Sequence, residues 1–300
     1  MNFRRNILLL TVLILLVLPT LAITSYRVTG SSKNTTTIVL SLEYTGKDDY
    51  YLKPTSPISK RLLFTFHTLA FNDFTFKITD SSNKRFEVPQ SGIFPIDPLA
   101  NFSFPISASS VHFEYTDAPF DFKITRKQNG AILFSSFDHD LIFSDHYLEI
   151  GTTVDSEYLY GLGERFLEGF RKKDGQWTIF NRDRAMAIDK GSGLQTYGYY
   201  PFYLLRERNN LFHISYLRNS NAMDVIKSRD TSKTSITYKV IGGVLDFRFF
   251  LGEQSPESTV EKLNFYSGKA ELPPFWSFGF HQCRYGYPNA DKLLDVLANY

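Results

Sequence analysis

The sequence predicts a mainly β protein, in which an antiparallel β-sandwich precedes the first βα unit of an α/β domain. Phe, Tyr and Trp make up 16% of the 300 residues, and aromatic side chains favour the half-buried faces of β-sheets. Short apolar runs separated by turn residues fill the chain up to residue 254, as in an antiparallel sandwich. From Ser255 onward the pattern changes to helices and one continuous apolar run, which indicates the start of an α/β domain.

Residues 1–22 are predicted to be a secretory signal peptide. Arg4 and Arg5 precede an apolar run over residues 7–18, and the small residue Ala22 follows it. A basic start, an apolar stretch and a small residue at the cut are typical of such peptides. The run is shorter than the roughly 20 residues that span a bilayer, so we expect no stable membrane span; an uncleaved signal anchor is the alternative. Export places the protein in the secretory pathway, either outside the cell or in a lysosome or vacuole.

Two features of the exported chain follow from its composition. Asn34 and Asn101 each begin an Asn-x-Ser/Thr triplet, and behind a signal peptide such triplets are candidate glycosylation sites. Cys283 is the only cysteine, so no disulfide forms within the chain. A chain of this length folds without one when its hydrophobic core is large.

Residues 23–254 are predicted to form the sandwich domain. The strongest hairpin signal is Asn129-Gly130, which lies between two apolar triplets and matches the residues preferred in two-residue β-turns. Apolar alternation or β-branched runs predict strands at residues 36–44, 61–67, 74–79, 111–115, 120–126, 131–135, 147–152, 212–216, 235–240 and 245–251.

Residues 255–273 are predicted to be a helical linker, and residues 274–300 the start of the α/β domain. Ser255 is placed as an N-cap before Pro256 at the first helical position, and the helix is expected to end at Gly268. The apolar run over residues 275–282 predicts a strand buried on both faces. Asn289 then caps a helix with one apolar side. A single βα unit has no partner strands, so we expect this domain to be incomplete in the chain.

Composition and motifs exclude several classes of function. The formal net charge is +2 with Lys and Arg scattered along the chain, which gives no electrostatic footprint for nucleic acid. The sequence contains no Gly-x-Ser-x-Gly elbow, His-Glu-x-x-His helix or phosphate-binding loop. The acid–histidine groups at residues 138–140 and 145–146 indicate polar turns rather than a metal site. Gly161-Leu162-Gly163 is interpreted as a tight turn, because it lacks the rest of a dinucleotide fingerprint.

Five stretches resemble signatures of glycoside hydrolase family 31, and they occur in family order. They are residues 159–166 (LYGLGERF), 179–183 (IFNRD) followed by 197–203, 219–223 (NSNAM), 241–246 (IGGVLD) and 274–285 (PFWSFGFHQCRY). The resemblance covers residues 157–300 well and the earlier residues only in their strand pattern. It implies a galactose-mutarotase-like β-sandwich that leads into a (β/α)₈ TIM barrel, which agrees with the pattern of elements above.

The resemblance also assigns two substrate contacts. Asp183 matches an aspartate on a sandwich loop that hydrogen-bonds substrate, and a carboxylate suits adjacent sugar hydroxyls as an acceptor; pairing with Arg182 or Arg184 in a turn is the alternative. Tyr285 matches a tyrosine at the carboxyl end of the first barrel strand, the catalytic face of such barrels. There its ring is expected to pack against a pyranose, with ordinary packing as the alternative. No metal or organic cofactor is implied.

No catalytic residue is expected before Tyr300. Family members are retaining enzymes, which need two carboxyl groups about 5–5.5 Å apart, and the resemblance places both on later barrel strands. Asp291 and Asp295 are expected on the outside of the last helix. The sequence therefore predicts the N-terminal part of an α-glucosidase acting on oligosaccharides, inactive by itself and with carbohydrate bound at the sandwich and barrel rim. A non-catalytic carbohydrate-binding sandwich and an α-xylosidase-type member remain alternatives.

Overall fold

The structure is a computed structural model that describes residues 26–46, 57–89, 102–166, 169–181 and 193–300. The chain divides after Ser267 into two compact units. Residues 1–22, the predicted signal peptide, lie outside the described residues. Within the described ranges no helix has both the length and the apolar character needed to cross a membrane.

The first unit consists of short strands and one helix. Its described strands, in chain order, are β1 (Tyr26–Lys33), β2 (Thr37–Tyr44), β3 (Arg61–Thr68), β4 (Phe74–Asp80), β5 (Val111–Asp117), β6 (Phe120–Arg126), β7 (Ile132–Ser135), β8 (Leu141–Phe143), β9 (Leu148–Val154), β10 (Leu159–Gly161), β11 (Arg165–Phe166), β12 (Gly175–Ile179), β13 (Leu194–Gln195), β14 (Phe202–Arg206), β15 (Phe212–Leu217), β16 (Met223–Arg229), β17 (Thr234–Val240) and β18 (Leu245–Leu251). Helix α1 (Pro256–Ser267) follows them.

The strands form one large sheet and three smaller ones, all antiparallel. The eight-stranded sheet has the order β1-β2-β3-β4-β18-β15-β14-β10, and the five-stranded sheet has the order β12-β16-β17-β9-β8. The three-stranded sheet is β5-β6-β7, and β11 pairs with β13. Each of these pairings is antiparallel. The mainly β prediction is therefore confirmed.

The hydrophobic core lies where the large sheet faces the five-stranded and three-stranded sheets. The ring of Phe76 on β4 has its centroid 5.0 Å from Phe122 on β6 and 4.8 Å from Phe134 on β7. Phe247 on β18 lies 5.2 Å from Tyr238 on β17. All five side chains are buried, and aromatic pairs at such distances stabilise a core beyond their buried area. The abundance of aromatic residues is thus explained mainly by packing between the layers of the sandwich.

Helix α1 covers part of the outer face of the large sheet. Leu263 and Tyr266 form a second buried cluster with Ile214 of β15 and Phe250 of β18. Because β18 is covered by the core on one face and by α1 on the other, all seven of its residues are buried. The helix starts at Pro256 as predicted and ends before Gly268, whose φ of 88° is favourable for glycine.

A buried ion-pair network fastens the three-stranded sheet to the large sheet. Arg126, the last residue of β6, donates to Glu207 from Nε (2.8 Å to Oε2) and from Nη2 (2.6 Å to Oε1). His213 Nδ1 lies 2.9 Å from the same Oε1, and Arg126 Nη2 also donates to the Phe212 carbonyl at 2.8 Å. Although burial alone would raise the pKa of Glu207, His213 and Arg126 lower it to about 2. The carboxylate is therefore ionised and fully paired inside the protein.

A second buried carboxyl group, Asp73, has the opposite behaviour. Its Oδ1 accepts hydrogen bonds from the Leu251 amide (3.1 Å) and from Lys262 Nζ on α1 (3.2 Å). Its Oδ2 is buried and makes no hydrogen bond, which disfavours the charged form of the carboxyl group. Burial therefore raises its pKa from 3.8 to about 6, against the opposing effect of Lys262.

We expect Asp73 to make the protein less stable as the pH rises from about 4 to about 6. Because its pKa is higher in the folded state, the folded protein binds the proton more tightly and is favoured at the lower pH; the effect is at most about 3 kcal/mol. Urea unfolding across this range should show a flatter pH dependence for Asp73→Asn than for the wild type. Equal slopes for the two proteins would contradict the assignment. Asp121, whose pKa burial also raises to about 6, contributes in the same direction in both proteins.

The strand predictions between residues 36 and 251 are confirmed, with ends shifted by at most two residues. The predicted hairpin is also present, because β6 and β7 pair across Asn129-Gly130 and Gly130 has a φ of 69°. Several strands were not predicted from the sequence. β1 and β16 are two of them, and their sequences, YRVTGSSK and MDVIKSR, interrupt apolar positions with charged or small polar residues.

In the second unit, residues 268–300, the predicted helix is confirmed and the predicted strand is wrong. Helix α2 (Ala290–Ala298) begins after Asn289, whose Oδ1 accepts a hydrogen bond from the Lys292 amide at 3.0 Å. Over residues 275–282 the structure instead has a 3-10 turn at Phe275–Phe278, followed by irregular chain. A buried strand needs neighbours for its backbone hydrogen bonds, and no strand of the described chain pairs with this run.

Candidate functional site

Two of the stretches that resemble the family signatures, residues 159–166 and 197–203, come together at one end of the large sheet. β10, at the edge of that sheet, pairs with β14, so residues 159–161 lie beside residues 203–205. Leu159 and Leu162 are fully buried and anchor this edge in the core. The short pair β11 and β13 then joins Arg165 to Gln195. Residues 159–166 and 194–205 therefore share one surface, which we call the motif cleft.

The segment Gly161-Leu162-Gly163 forms a tight turn, as predicted from the sequence. Gly161 has a φ of 114°, and a Cβ at this position would lie 2.7 Å from the Phe202 carbonyl oxygen. A Cβ at Gly163 would meet the ring of Tyr200 at 2.6 Å. Glycine is thus required here because neighbouring backbone and ring approach too closely for a side chain.

Arg165 connects the parts of the cleft, and the sequence did not identify it. Its Nε donates to the Leu162 carbonyl at 3.0 Å and its Nη1 to the Gly193 carbonyl at 2.9 Å. Its Nη2 donates to the Thr178 carbonyl at 2.6 Å, and the guanidinium lies 5.3 Å from the centre of the Trp177 ring. Only a planar group with several donors reaches three carbonyl groups at once. The available signal for this role was the place of Arg165 within the signature LYGLGERF.

Glu164 provides an ionised carboxylate at the surface of the cleft. Its Oε2 accepts a hydrogen bond from the Gly198 amide at 2.9 Å. This bond lowers the pKa of Glu164 below its ordinary value. Gln195 Nε2 in turn donates to the Gly198 carbonyl at 2.5 Å, so the turn that carries Gly198 is held from both sides.

The motif cleft has a volume of about 330 Å³ and combines aromatic rings with charged groups. Tyr160, Phe170 and Tyr200 line it together with Glu164 and Lys172. The rings of Phe170 and Tyr200 are exposed. Aromatic faces can pack against the C–H groups of a sugar ring, and carboxylate and ammonium groups can hydrogen-bond its hydroxyls. The surface therefore has the chemical groups that a carbohydrate needs.

The two substrate contacts predicted from the sequence are not brought together by the described residues. Asp183 lies outside them; the described chain before it ends at residue 181, two residues after β12. The last residue of β12, Ile179, is buried, and Phe180 is exposed. Tyr285 belongs to the second unit, and its side chain is fully exposed. Both roles therefore stay predictions.

The other residues singled out from the sequence have definite surroundings or lie outside the described ranges. Asn34 is exposed, and its Oδ1 accepts hydrogen bonds from the amides of Thr36 (2.9 Å) and Thr37 (2.8 Å); Asn101 is not described. On α2, Asp295 pairs with Lys292 at 2.5 Å and both are exposed, as is Asp291. These two acids are surface groups, as expected.

The acid–histidine groups at 138–140 and 145–146 do not converge on one point. His139 Nε2 lies 2.9 Å from Thr153 Oγ1, whereas Asp145 pairs with Arg85 and with His146. In the part of the chain that the structure describes, no three His, Cys, Asp or Glu side chains are grouped as metal ligands.

Two protein-family models match the chain. The sequence model of the glycosyl hydrolase 31 N-terminal galactose mutarotase-like domain matches residues 25–225. The model of the glycosyl hydrolases family 31 TIM-barrel domain matches residues 270–300. Both models match where the strand pattern and the last signature predicted such domains.

Two relatives and one solved structure extend this result. The chain is 35% identical to the lysosomal acid alpha-glucosidase of Tetrahymena pyriformis over 268 residues, which is 88% of the chain and 28% of that protein. It is 33% identical to the intestinal sucrase-isomaltase of Oryctolagus cuniculus over 90% of the chain and 14% of that protein. The crystal structure of glucosidase II alpha subunit, in its alpha3-Glc2-bound form, has a TM-score of 0.70. That likeness covers 93% of the chain and 38% of the solved chain at 14% identity, and it shows the fold alone.

The chain thus spans less than a third of the length of these two relatives. The galactose-mutarotase-like sandwich is confirmed, and of the barrel only a part is present. From the match of the N-terminal domain model over residues 25–225 we conclude that the chain belongs to glycoside hydrolase family 31.

Proposed function

We propose that the chain is the N-terminal part of a retaining α-glucosidase that releases terminal α-linked glucose from oligosaccharides. The observation that carries this proposal is the 35% identity, over 88% of the chain, to a protein named lysosomal acid alpha-glucosidase. The aromatic and carboxylate groups of the motif cleft support a carbohydrate ligand. Solved structures with the same fold are described as bound to alpha3-Glc2 and to Glc1Man2.

Asp183 and Tyr285 are the proposed substrate contacts in this chain. Support for Asp183 comes from Arg165, because the guanidinium hydrogen-bonds the carbonyls of Thr178 and Gly193. These two residues flank the segment that contains Asp183. Support for Tyr285 is its exposed ring and its place in the region matched to the TIM-barrel domain.

The proposed hydrolysis belongs to the whole protein rather than to residues 23–300. In the family resemblance both catalytic carboxyl groups lie on later barrel strands, and the barrel model matches this chain only over residues 270–300. We expect the whole protein to hydrolyse a chromogenic α-glucoside and purified residues 23–300 to give no turnover. Turnover by residues 23–300 would show that the catalytic groups are wrongly assigned. Absence of turnover by the folded whole protein would overturn the proposed activity.

The secretory pathway is the proposed location of the protein. The predicted signal peptide and the name of the Tetrahymena relative, a lysosomal enzyme, support it. We expect mature protein to begin at or near Ile23 and to carry glycans at Asn34 and Asn101. Mass spectrometry of exported protein, before and after enzymatic deglycosylation, measures both. A chain that still begins at Met1 would contradict cleavage, and unchanged peptide masses at both asparagines would contradict glycosylation.

A further inference from the structure

A second groove lies on the sandwich and shares no lining residue with the motif cleft. It has a volume of about 500 Å³ and is lined by side chains from both the three-stranded and the five-stranded sheets. Ligand pockets for small molecules commonly have volumes of roughly 300–1,000 Å³. The groove is thus large enough to hold one or two sugar rings.

The lining mixes acidic and basic groups in nearly equal number. Glu114, Asp138 and Asp230 contribute carboxylates, and Lys123 and Lys233 contribute ammonium groups. Lys123 Nζ lies 3.2 Å from Glu114 Oε1, so part of this charge is already paired. A phosphate-binding site would contain an excess of basic groups over acidic ones. A divalent cation would need several converging oxygen ligands, and the described residues contain no metal-ligand cluster. A neutral ligand with many hydroxyls fits alternating donors and acceptors best.

His139 lines this groove and packs against a glycine in strand β9. A Cβ at Gly151 would lie only 2.3 Å from His139 Nδ1, so the imidazole packs directly against the strand. The other ring nitrogen, Nε2, lies 2.9 Å from Thr153 Oγ1. Glycine inside a strand is typical of places where another group approaches the backbone closely. Burial lowers the pKa of His139 below its ordinary value.

An aromatic ring completes the groove. Phe137 is half-buried and contributes to the lining beside His139. A phenyl face next to hydrogen-bonding groups offers a sugar both of the contacts it requires, one for its C–H face and one for its hydroxyls.

We propose that this groove is a second carbohydrate-binding site, which holds a glucose unit of an α-glucan away from the motif cleft. Phe137 supplies the stacking face, and Lys123, Lys233 and Glu114 bind the hydroxyls. The choice of glucose rests on the proposed function, whereas the binding of a neutral polyhydroxyl ligand rests on the lining alone.

Saturation-transfer NMR with maltotriose and the purified 300-residue chain tests this site. We expect saturable binding that Phe137→Ala weakens by about tenfold or more, as for loss of a buried aromatic contact. Lys233→Ala, at an exposed position, should weaken it less but measurably. Phe265→Ala, which removes an exposed ring of α1 that lines neither this groove nor the motif cleft, is the matched control and should leave this binding unchanged. Circular dichroism melting curves show whether each variant is folded.

Two outcomes would overturn the second site. One is the absence of saturable binding by the wild-type chain. The other is loss of binding in Phe170→Ala or Tyr285→Ala while Phe137→Ala and Lys233→Ala bind normally, which assigns the ligand to the motif cleft or to the proposed contact at Tyr285 instead. Neither outcome touches the hydrolysis assay of the whole protein, so failure of the second site and failure of the proposed function are distinguishable.

Discussion

Replacing Glu207 by alanine should destabilise the sandwich by about 3–5 kcal/mol, because breaking a buried ion pair leaves an uncompensated charge in the interior. Arg126 is 4% exposed, and it donates two short hydrogen bonds to the carboxylate of Glu207. Without the carboxylate, the guanidinium retains only the Phe212 and Gly252 carbonyls. His213 would also lose its hydrogen-bond partner at Nδ1.

Urea unfolding of the purified chain measures this loss. The matched control is Glu43→Ala on β2, which breaks an exposed ion pair with Arg27 on β1; the distance from Arg27 Nη2 to Glu43 Oε2 is 2.6 Å. Exposed pairs contribute about 0–1 kcal/mol, so the control should unfold almost like the wild type. If the two variants lose similar stability, the buried network does not hold the three-stranded sheet in place.

The same network should fail in strong acid. Because the pKa of Glu207 is lower in the folded state than in the unfolded chain, its stabilising effect is present above the unfolded value. It is lost as the pH falls from about 4.5 toward about 2. The protein is therefore expected to be most stable at a mildly acidic pH, where Glu207 is ionised and Asp73 is protonated.

In the whole protein, Asp183→Asn should lower kcat/KM. The activation free energy should rise by about 1.5–3 kcal/mol, the range for a hydrogen bond to a charged group. The substitution keeps the shape of the side chain but weakens its acceptance of sugar hydroxyls. If Asp183 contacts the leaving-group side, maltose should suffer more than an aryl glucoside, which lacks those hydroxyls. Equal losses on the two substrates, or a parallel fall in the thermal midpoint, would return Asp183 to a structural role in a turn.

Tyr285→Ala provides the companion measurement for the proposed glycone contact. Its loss should be about 1–3 kcal/mol, as for a missing apolar contact in a binding pocket, and should affect both substrates alike. Tyr115→Ala, which removes an exposed tyrosine ring on β5, is the matched control and should leave kcat/KM unchanged. A thermal midpoint equal to that of the wild type separates loss of substrate contact from loss of packing.

Most of the sandwich could be predicted from the sequence because its strands alternate apolar and polar residues. β3 and β4 show this alternation in full, with every second side chain buried. Two of the strands that were missed lack it: β1 has a single buried residue at its start, and β10 contains only Leu159, Tyr160 and Gly161. The pairing of β10 depends on a long-range neighbour, β14, which local sequence patterns do not show.

The candidate site was predicted less completely than the fold. Family signatures located the motif cleft, but the bridging role of Arg165 depends on three carbonyl groups from distant positions. No local pattern reports such contacts. The apolar run at residues 275–282 was mistaken for a strand for a related reason. Its composition is that of a buried strand, but composition cannot supply the neighbouring strands that such a segment needs.

The configuration of the glucose first released from a chromogenic α-glucoside by the whole protein is the most direct measurement of the proposed function. A retaining enzyme forms a covalent glycosyl intermediate and returns the original configuration, so proton NMR early in the reaction should show α-glucose from the cleaved unit before it mutarotates. The β-anomer appearing first, or no hydrolysis by folded protein, would contradict a retaining α-glucosidase.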